Sequence, residues 1–232
     1  MLFSIRPSKQ SAIALVVTIA SAFALSGCIK LDMDMKVKGD TKIDGTMIVA
    51  FNEELMKSFE GMAGSMDTSK KKSKTPTTKQ KSFEEQTKDG VKQAQAGLPK
   101  GSTAKLYKKS GWLGQEITFK DVDAAVLMSA GLSAGSTGGP STDASRLKIV
   151  KKGDSLTLDG VLDMGGGTGD GTDAGMDMSG MMAGAKPELR VKFTFPGRVQ
   201  SASAGGKISG NSVTWTPEFG KKLILKATAK AN

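Results

Sequence analysis

The chain has 232 residues, a formal net charge of +10, one cysteine and no histidine. The lack of histidine excludes Ser-His-Asp and Cys-His catalysis as well as zinc sites built from histidine. The positive charge predicts either general solubility and surface adherence or a binding surface for anionic lipid or glycolipid head groups.

The N-terminus has the pattern of an exported, lipid-modified protein. Arg6 and Lys9 precede an uncharged apolar run that ends at Leu25-Ser26-Gly27-Cys28. The run is too short for a membrane-spanning helix and is typical of a signal peptide. Its last four residues resemble the lipobox of bacterial lipoproteins, which implies removal of residues 1–27 and lipidation of Cys28. Two or more acyl chains on this cysteine would hold the protein stably at a membrane.

The residues after Cys28 predict a β-hairpin followed by a short helix. Apolar and charged side chains alternate over 29–37, and an apolar alternation returns over 43–51 after the turn Lys38-Gly39-Asp40. A period of two is typical of strands with one buried face. Asn52 is a suitable N-cap for the helix that would follow.

A basic segment at 63–81 interrupts this pattern. It is rich in Lys, Ser and Thr without any apolar period, so we predict a low-complexity insertion. We expect four of its lysines to contact anionic lipid: Lys70, Lys71, Lys72 and Lys74. The sequence Ser82-Phe83-Glu84-Glu85 then has the form of a capping box and predicts a helix to about residue 96.

The remainder of the chain is strand-rich. Further hairpins are predicted from 103–109 with 112–119 and from 147–151 with 155–162, and Asp121 is predicted to cap a third short helix. C-terminal strands are predicted at 189–195, 199–202, 212–216 and 223–229. Further low-complexity insertions are predicted at 130–145 and 163–185.

These elements predict one domain over residues 28–230, preceded by the signal peptide at 1–27. Hairpins with short helices between them favour an α+β class. We expect an antiparallel, β-rich domain with two or three short helices packed on one face of the sheet, similar in shape to lipid-binding proteins.

Motifs for catalysis or metal binding are weak. Residues 131–135 spell G-x-S-x-G, but no histidine is present to activate the serine. The methionines of 176–182 suit Cu(I), although a flexible apolar loop is the more ordinary interpretation. Asp32 and Asp34 share a strand face and are interpreted as surface charges. We therefore predict no catalytic residue, no metal site, no cofactor and no nucleic-acid partner.

Several short motifs, in this order, resemble one family. Asp44-Gly45-Thr46 lies in the first hairpin, Gly111-Trp112-Leu113-Gly114 leads to Phe119-Lys120-Asp121, and Asn211-Ser212-Val213-Thr214-Trp215 follows Leu189–Pro196. Together with the lipobox, these motifs are similar to the LppM-type lipoprotein domain of actinobacteria.

The resemblance covers most of residues 28–230. It implies an envelope-associated α+β domain with a lipid-binding-like shape, phosphatidylinositol mannosides as the ligand class, and no catalytic residues. In the mycobacterial pattern a hydrophobic C-terminal helix follows the domain, whereas only Lys230, Ala231 and Asn232 follow Ala229 here. We therefore expect anchoring through Cys28 alone.

Two functions are consistent with these observations. The first is a non-enzymatic lipoprotein on the extracytoplasmic face of the cell membrane that binds envelope lipids or glycolipids. Its cavity would lie between sheet and helices near 55–59 and 122–128, with basic residues at the mouth. Residues expected to line it, or equally to fill a core, are Met33, Met47, Phe193 and Phe195. The alternative is a cell-surface scaffold or protein-interaction module. The sequence makes no prediction of oligomeric state.

Overall fold

The computed structural model describes residues 29–58, 81–125, 127, 146–163, 187–218 and 221–231. Helix α1 spans Phe83–Gly97, and residues 53–58 form a further helical segment. The strands within these ranges are β1 (Ile29–Val37), β2 (Ile43–Asn52), β3 (Thr103–Lys109), β4 (Trp112–Val122), β5 (Arg146–Lys152), β6 (Ser155–Asp163), β7 (Glu188–Thr194), β8 (Val199–Ala202), β9 (Lys207–Ser209), β10 (Ser212–Trp215) and β11 (Lys222–Lys230).

The strands form two sheets. The large sheet has the order β3-β4-β2-β1-β7-β10-β9, and the small sheet has the order β5-β6-β11-β8. Every strand pair among the described residues is antiparallel except β1 with β7, which is parallel. The predicted α+β, mostly antiparallel class is therefore confirmed. The parallel pair was not predicted, because strands far apart in sequence leave no local signal of their pairing.

The core lies between the two sheets. The apolar side chains of β1 alternate with charged ones, and those at Leu31, Met33, Met35 and Val37 are buried. They belong to one cluster that also contains the inward side chains of the small sheet. Phe193 and Trp215 meet edge to face in this cluster, with ring centroids 6.4 Å apart. The sheets thus bury each other's apolar faces.

The four residues considered as cavity lining are core residues. Met33, Met47, Phe193 and Phe195 are each at most 2% exposed and belong to the cluster between the sheets. This placement agrees with the interpretation of a filled core. The proposed cavity also involved residues 59, 126 and 128, which lie outside the described residues, so the cavity stays a prediction.

The predicted hairpins are present. The β1–β2 turn falls at 38–42, and the β3–β4 turn is made by Ser110 and Gly111, both with positive φ angles of 54° and 77°. The predicted cap at Asp121 is wrong, since β4 continues to Val122 and helical residues appear only from 124. Val122 pairs with Ile43 beyond a bulge, and at this bulge the Asp121 amide donates to Asp44 Oδ1 at 2.7 Å.

Helix α1 covers the part of the large sheet that the small sheet leaves open. Its capping box is confirmed, with reciprocal hydrogen bonds between Ser82 and Glu85. Phe83 packs edge-on against Phe51 at 6.0 Å between ring centroids. Phe51 lies on the same face of β2 as Met47, so α1 lies on the core face. No residue of α1 is fully buried, so the helix packs on the surface of the sheet and contributes little to the core.

Asn52 caps the N-terminus of the helical segment at 53–58, as predicted. The amides of Glu54 and Leu55 both donate to Asn52 Oδ1 at 3.1 Å. Helix and strand therefore meet at this residue, and the amide of Glu53 donates to the Gly111 carbonyl at 2.8 Å. No helix in the described ranges is long and apolar enough to cross a membrane.

Candidate functional site

The short motifs of the sequence form structural contacts. Asp44 Oδ1 accepts hydrogen bonds from the Asp121 amide at 2.7 Å and lies 3.0 Å from Lys38 Nζ. Desolvation by burial opposes ionisation, but the Asp121 amide and Lys38 together lower the pKa of Asp44. At Gly45 an added Cβ would lie 2.5 Å from the Asp34 carbonyl oxygen. The Asp-Gly-Thr motif thus fixes the packing of β1, β2 and β4.

The C-terminal motif has a similar role. Asn211 Nδ2 donates to the Phe195 carbonyl at 3.0 Å, and the Phe195 amide donates back to the Asn211 carbonyl at 2.8 Å. The indole Nε1–H of Trp215 donates to Ser203 Oγ at 3.2 Å. These hydrogen bonds hold β7, β10 and the residue after β8 together, so Asn211 and Trp215 have structural roles.

Charges on the outer face of the large sheet compensate one another. Lys30 pairs with Glu188 at 2.6 Å, Asp32 with Arg190 at 2.7 Å and Asp34 with Lys192 at 3.4 Å. Each pair joins direct partners in the β1–β7 register. Asp32 and Asp34 are therefore partly exposed partners of cations, in agreement with their interpretation as surface charges.

The small sheet carries an excess of positive charge. Its four strands contain seven Lys or Arg residues and two Asp residues, a net formal charge of +5. Six of these cations share the outer face by strand alternation, and we call this surface the basic face. Its cations are Arg146, Lys148, Lys152, Lys222, Lys226 and Lys230, all exposed.

Most of the basic face lacks compensating carboxylates. Of the described residues, none places a carboxylate oxygen within 4 Å of the charged nitrogens of five of these cations. These five are Arg146, Lys148, Lys152, Lys226 and Lys230. Asp159 lies directly between Lys148 and Lys226 in the strand register but forms a salt bridge with neither. The basic face is thus a local source of positive potential.

A shallow depression of about 360 Å³ lies on the basic face, over β6, β11 and β8. Its polar side chains are Thr157, Asp159, Ser201, Ser203, Lys226 and Thr228. Ser203 is fully engaged, since its hydroxyl donates to the Ile224 carbonyl at 2.6 Å and accepts from the Lys226 amide at 3.1 Å. Hydroxyls and an ammonium group are suitable donors to the oxygens of an anionic head group.

The family model of the LppM domain matches residues 30–231.

The chain belongs to the LppM family.

The family resemblance predicted from the motifs is therefore confirmed, and the chain contains a lipoprotein-type domain. An NMR structure of the folded domain of Mycobacterium tuberculosis LppM is similar, with a TM-score of 0.49 and 16% identity. The alignment covers 88% of this chain and 91% of that one. No curated protein matches the chain.

The residues predicted as sites in this LppM protein lie outside the described ranges. This applies to Cys28 and to the lysines Lys70, Lys71, Lys72 and Lys74, so their roles stay predictions. The sequence interpretation missed the basic face. A signal was present in β11, where Lys222, Lys226 and Lys230 recur every four residues and therefore share one side of a strand.

Proposed function

We propose that this LppM protein is a non-enzymatic lipoprotein, anchored by Cys28 on the extracytoplasmic face of the cell membrane. It binds the head groups of anionic phospholipids or glycolipids through the basic face. The uncompensated cations of the small sheet carry this proposal, because many cations of the large sheet, such as Lys30 and Arg190, are instead paired with carboxylates. Lysines close to an anionic membrane each contribute roughly 1 kcal/mol to binding.

Charge neutralisation on the basic face tests the proposal. The mature chain, residues 28–232, is prepared with Cys28→Ser and mixed with vesicles of phosphatidylcholine and phosphatidylglycerol in a 7:3 ratio. Adding Lys148→Gln and Lys226→Gln should weaken sedimentation with these vesicles by up to about 30-fold, since roughly 2 kcal/mol is lost. Binding of the parent protein should decrease steeply with added salt.

A matched pair of changes controls for net charge. Lys92 and Lys100 are exposed lysines away from the small sheet, in α1 and the loop after it. Lys92→Gln with Lys100→Gln removes the same charge and should change vesicle binding less than threefold. Equal losses for the two double variants would show that only net charge matters and would refute a specific face.

A cell-surface scaffold or protein-interaction module is the second candidate function. The burial of Met33, Met47, Phe193 and Phe195 in the core favours it, because these four side chains pack against one cluster rather than lining a lipid site. Lipid extraction and mass spectrometry of the purified Cys28→Ser chain separate the two functions. Recovery of a stoichiometric lipid would support lipid binding. A protein that contains no lipid and does not sediment with vesicles would support the scaffold function.

A further inference from the structure

The basic face contains an exposed apolar side chain towards one end of the small sheet. Ile224 of β11 is 52% exposed, although isoleucine is among the residues most often buried. Its direct partner across the sheet is Val161 of β6, which is partly buried on the same face. The next partner in this row is Arg146 of β5. Across the strands, this row therefore consists of one cation, Arg146, followed by the two aliphatic side chains of Val161 and Ile224.

Charged residues flank this apolar pair along both strands, with cations on either side of Ile224 in β11 and aspartates on either side of Val161 in β6. Lys222 and Lys226 lie two residues before and after Ile224, so strand alternation places them on the same side of the sheet. An exposed isoleucine between two lysines, with an arginine in the same row, is suited to a bilayer interface. The apolar groups enter the boundary between head groups and acyl chains, while the cations remain at the phosphates.

A soluble polyanion would bind only the cations of this surface and not its apolar side chains. Its phosphates or carboxylates would pair with the cations but would leave Ile224 in water. A bilayer of anionic lipids satisfies both components, because it offers charge at its surface and hydrocarbon a few ångströms below. Charge complementarity together with the exposed isoleucine thus favours a lipid surface as the occupant.

We propose that the basic face docks directly onto an anionic bilayer with the side chain of Ile224 inserted at the head-group boundary. This inference rests on the proposed function but goes further, since head-group binding alone requires no insertion. It assigns Ile224 and Val161 as the membrane-contacting apolar residues, with Arg146 and Lys226 as their phosphate-binding neighbours.

The single cysteine makes this insertion directly measurable. In the Cys28→Ser mature chain, Ile224→Cys creates one thiol for an environment-sensitive fluorophore. The matched control is Ile208→Cys, because Ile208 is also an exposed isoleucine, 46% accessible, in β9 at the edge of the other sheet. Both labelled proteins are mixed with the 7:3 vesicles, with and without quencher groups on the acyl chains.

We expect the label at position 224 to shift to shorter wavelength, to brighten severalfold and to be quenched by the modified lipids. The label at position 208 should show none of these changes. Unlabelled Ile224→Asn should bind the vesicles about five- to tenfold more weakly than the parent, while Ile208→Asn binds as the parent does.

Parallel sedimentation separates failure of this inference from failure of the proposed function. Sedimentation without any change at position 224, or with equal changes at 224 and 208, would overturn insertion and leave head-group binding intact. Absence of sedimentation for the parent protein would overturn both. Circular dichroism of each variant identifies any that fail to fold, and in that case the unlabelled asparagine variants decide.

Discussion

At the scale of single residues, Ser203 joins the two sheets. Its hydroxyl accepts from Trp215 Nε1–H of the large sheet and bonds to the backbone of Ile224 and Lys226 in the small sheet. The change Ser203→Ala would leave the indole N–H of the buried Trp215 without its partner, and an unsatisfied buried donor costs about 1–3 kcal/mol. We expect the free energy of unfolding in urea to fall by about 2 kcal/mol.

Ser201 provides the control for this change. It lies two residues earlier in β8, is exposed, and lines the same depression. Surface substitutions of this kind change stability by less than about 0.5 kcal/mol. Similar urea midpoints for Ser203→Ala and Ser201→Ala would contradict the bridging role of Ser203.

At the scale of elements, we expect the attachment of α1 to depend on pH. Lys108 of β3 and Lys88 of α1 hydrogen-bond Glu84 at 2.8 and 2.7 Å, and these contacts lower its pKa from 4.5 to about 2. A carboxyl whose pKa is lower in the folded state stabilises the fold above its unfolded pKa. This contribution is therefore complete above about pH 5 and is lost as the pH falls from 4.5 towards 2.

The variant Glu84→Gln isolates this contribution. We expect the native protein to be more stable than the variant at pH 6, with the difference shrinking as the pH falls below 4.5. Exposure of the ion pair keeps the difference small, and added salt should reduce it further. Chemical denaturation of both proteins at pH 6, 4 and 2.5 measures it. A difference that is constant over this range would show that Glu84 acts through packing alone.

At the scale of the whole molecule, membrane attachment is expected to depend on Cys28. Two or more acyl chains provide stable anchoring, whereas the basic face alone would give reversible, salt-sensitive binding. The change Cys28→Ser should therefore release the protein from the membrane fraction at high salt and abolish labelling by an alkyne fatty acid. Alkyne label that is still incorporated in the Cys28→Ser variant would show that another residue carries the lipid.

Local sequence patterns predicted most elements of this LppM domain. The β1–β2 hairpin follows from strict alternation around a turn, and α1 follows from the Ser82–Glu85 capping box, because both signals involve neighbouring residues only. The end of β4 could not be predicted in this way. It depends on the pairing of Val122 with Ile43, which are far apart in sequence.

The sequence by itself determined the α+β class, the hairpins and the family, since each is encoded in short, contiguous patterns. Only the tertiary structure decided which charges are compensated. Asp32 meets Arg190 because β1 and β7 become parallel neighbours, whereas Arg146 has no carboxylate partner among the described residues because its direct partner in β6 is Val161. Whether a charged side chain is neutralised or available depends on strand order, and strand order is set by packing between segments distant in the chain.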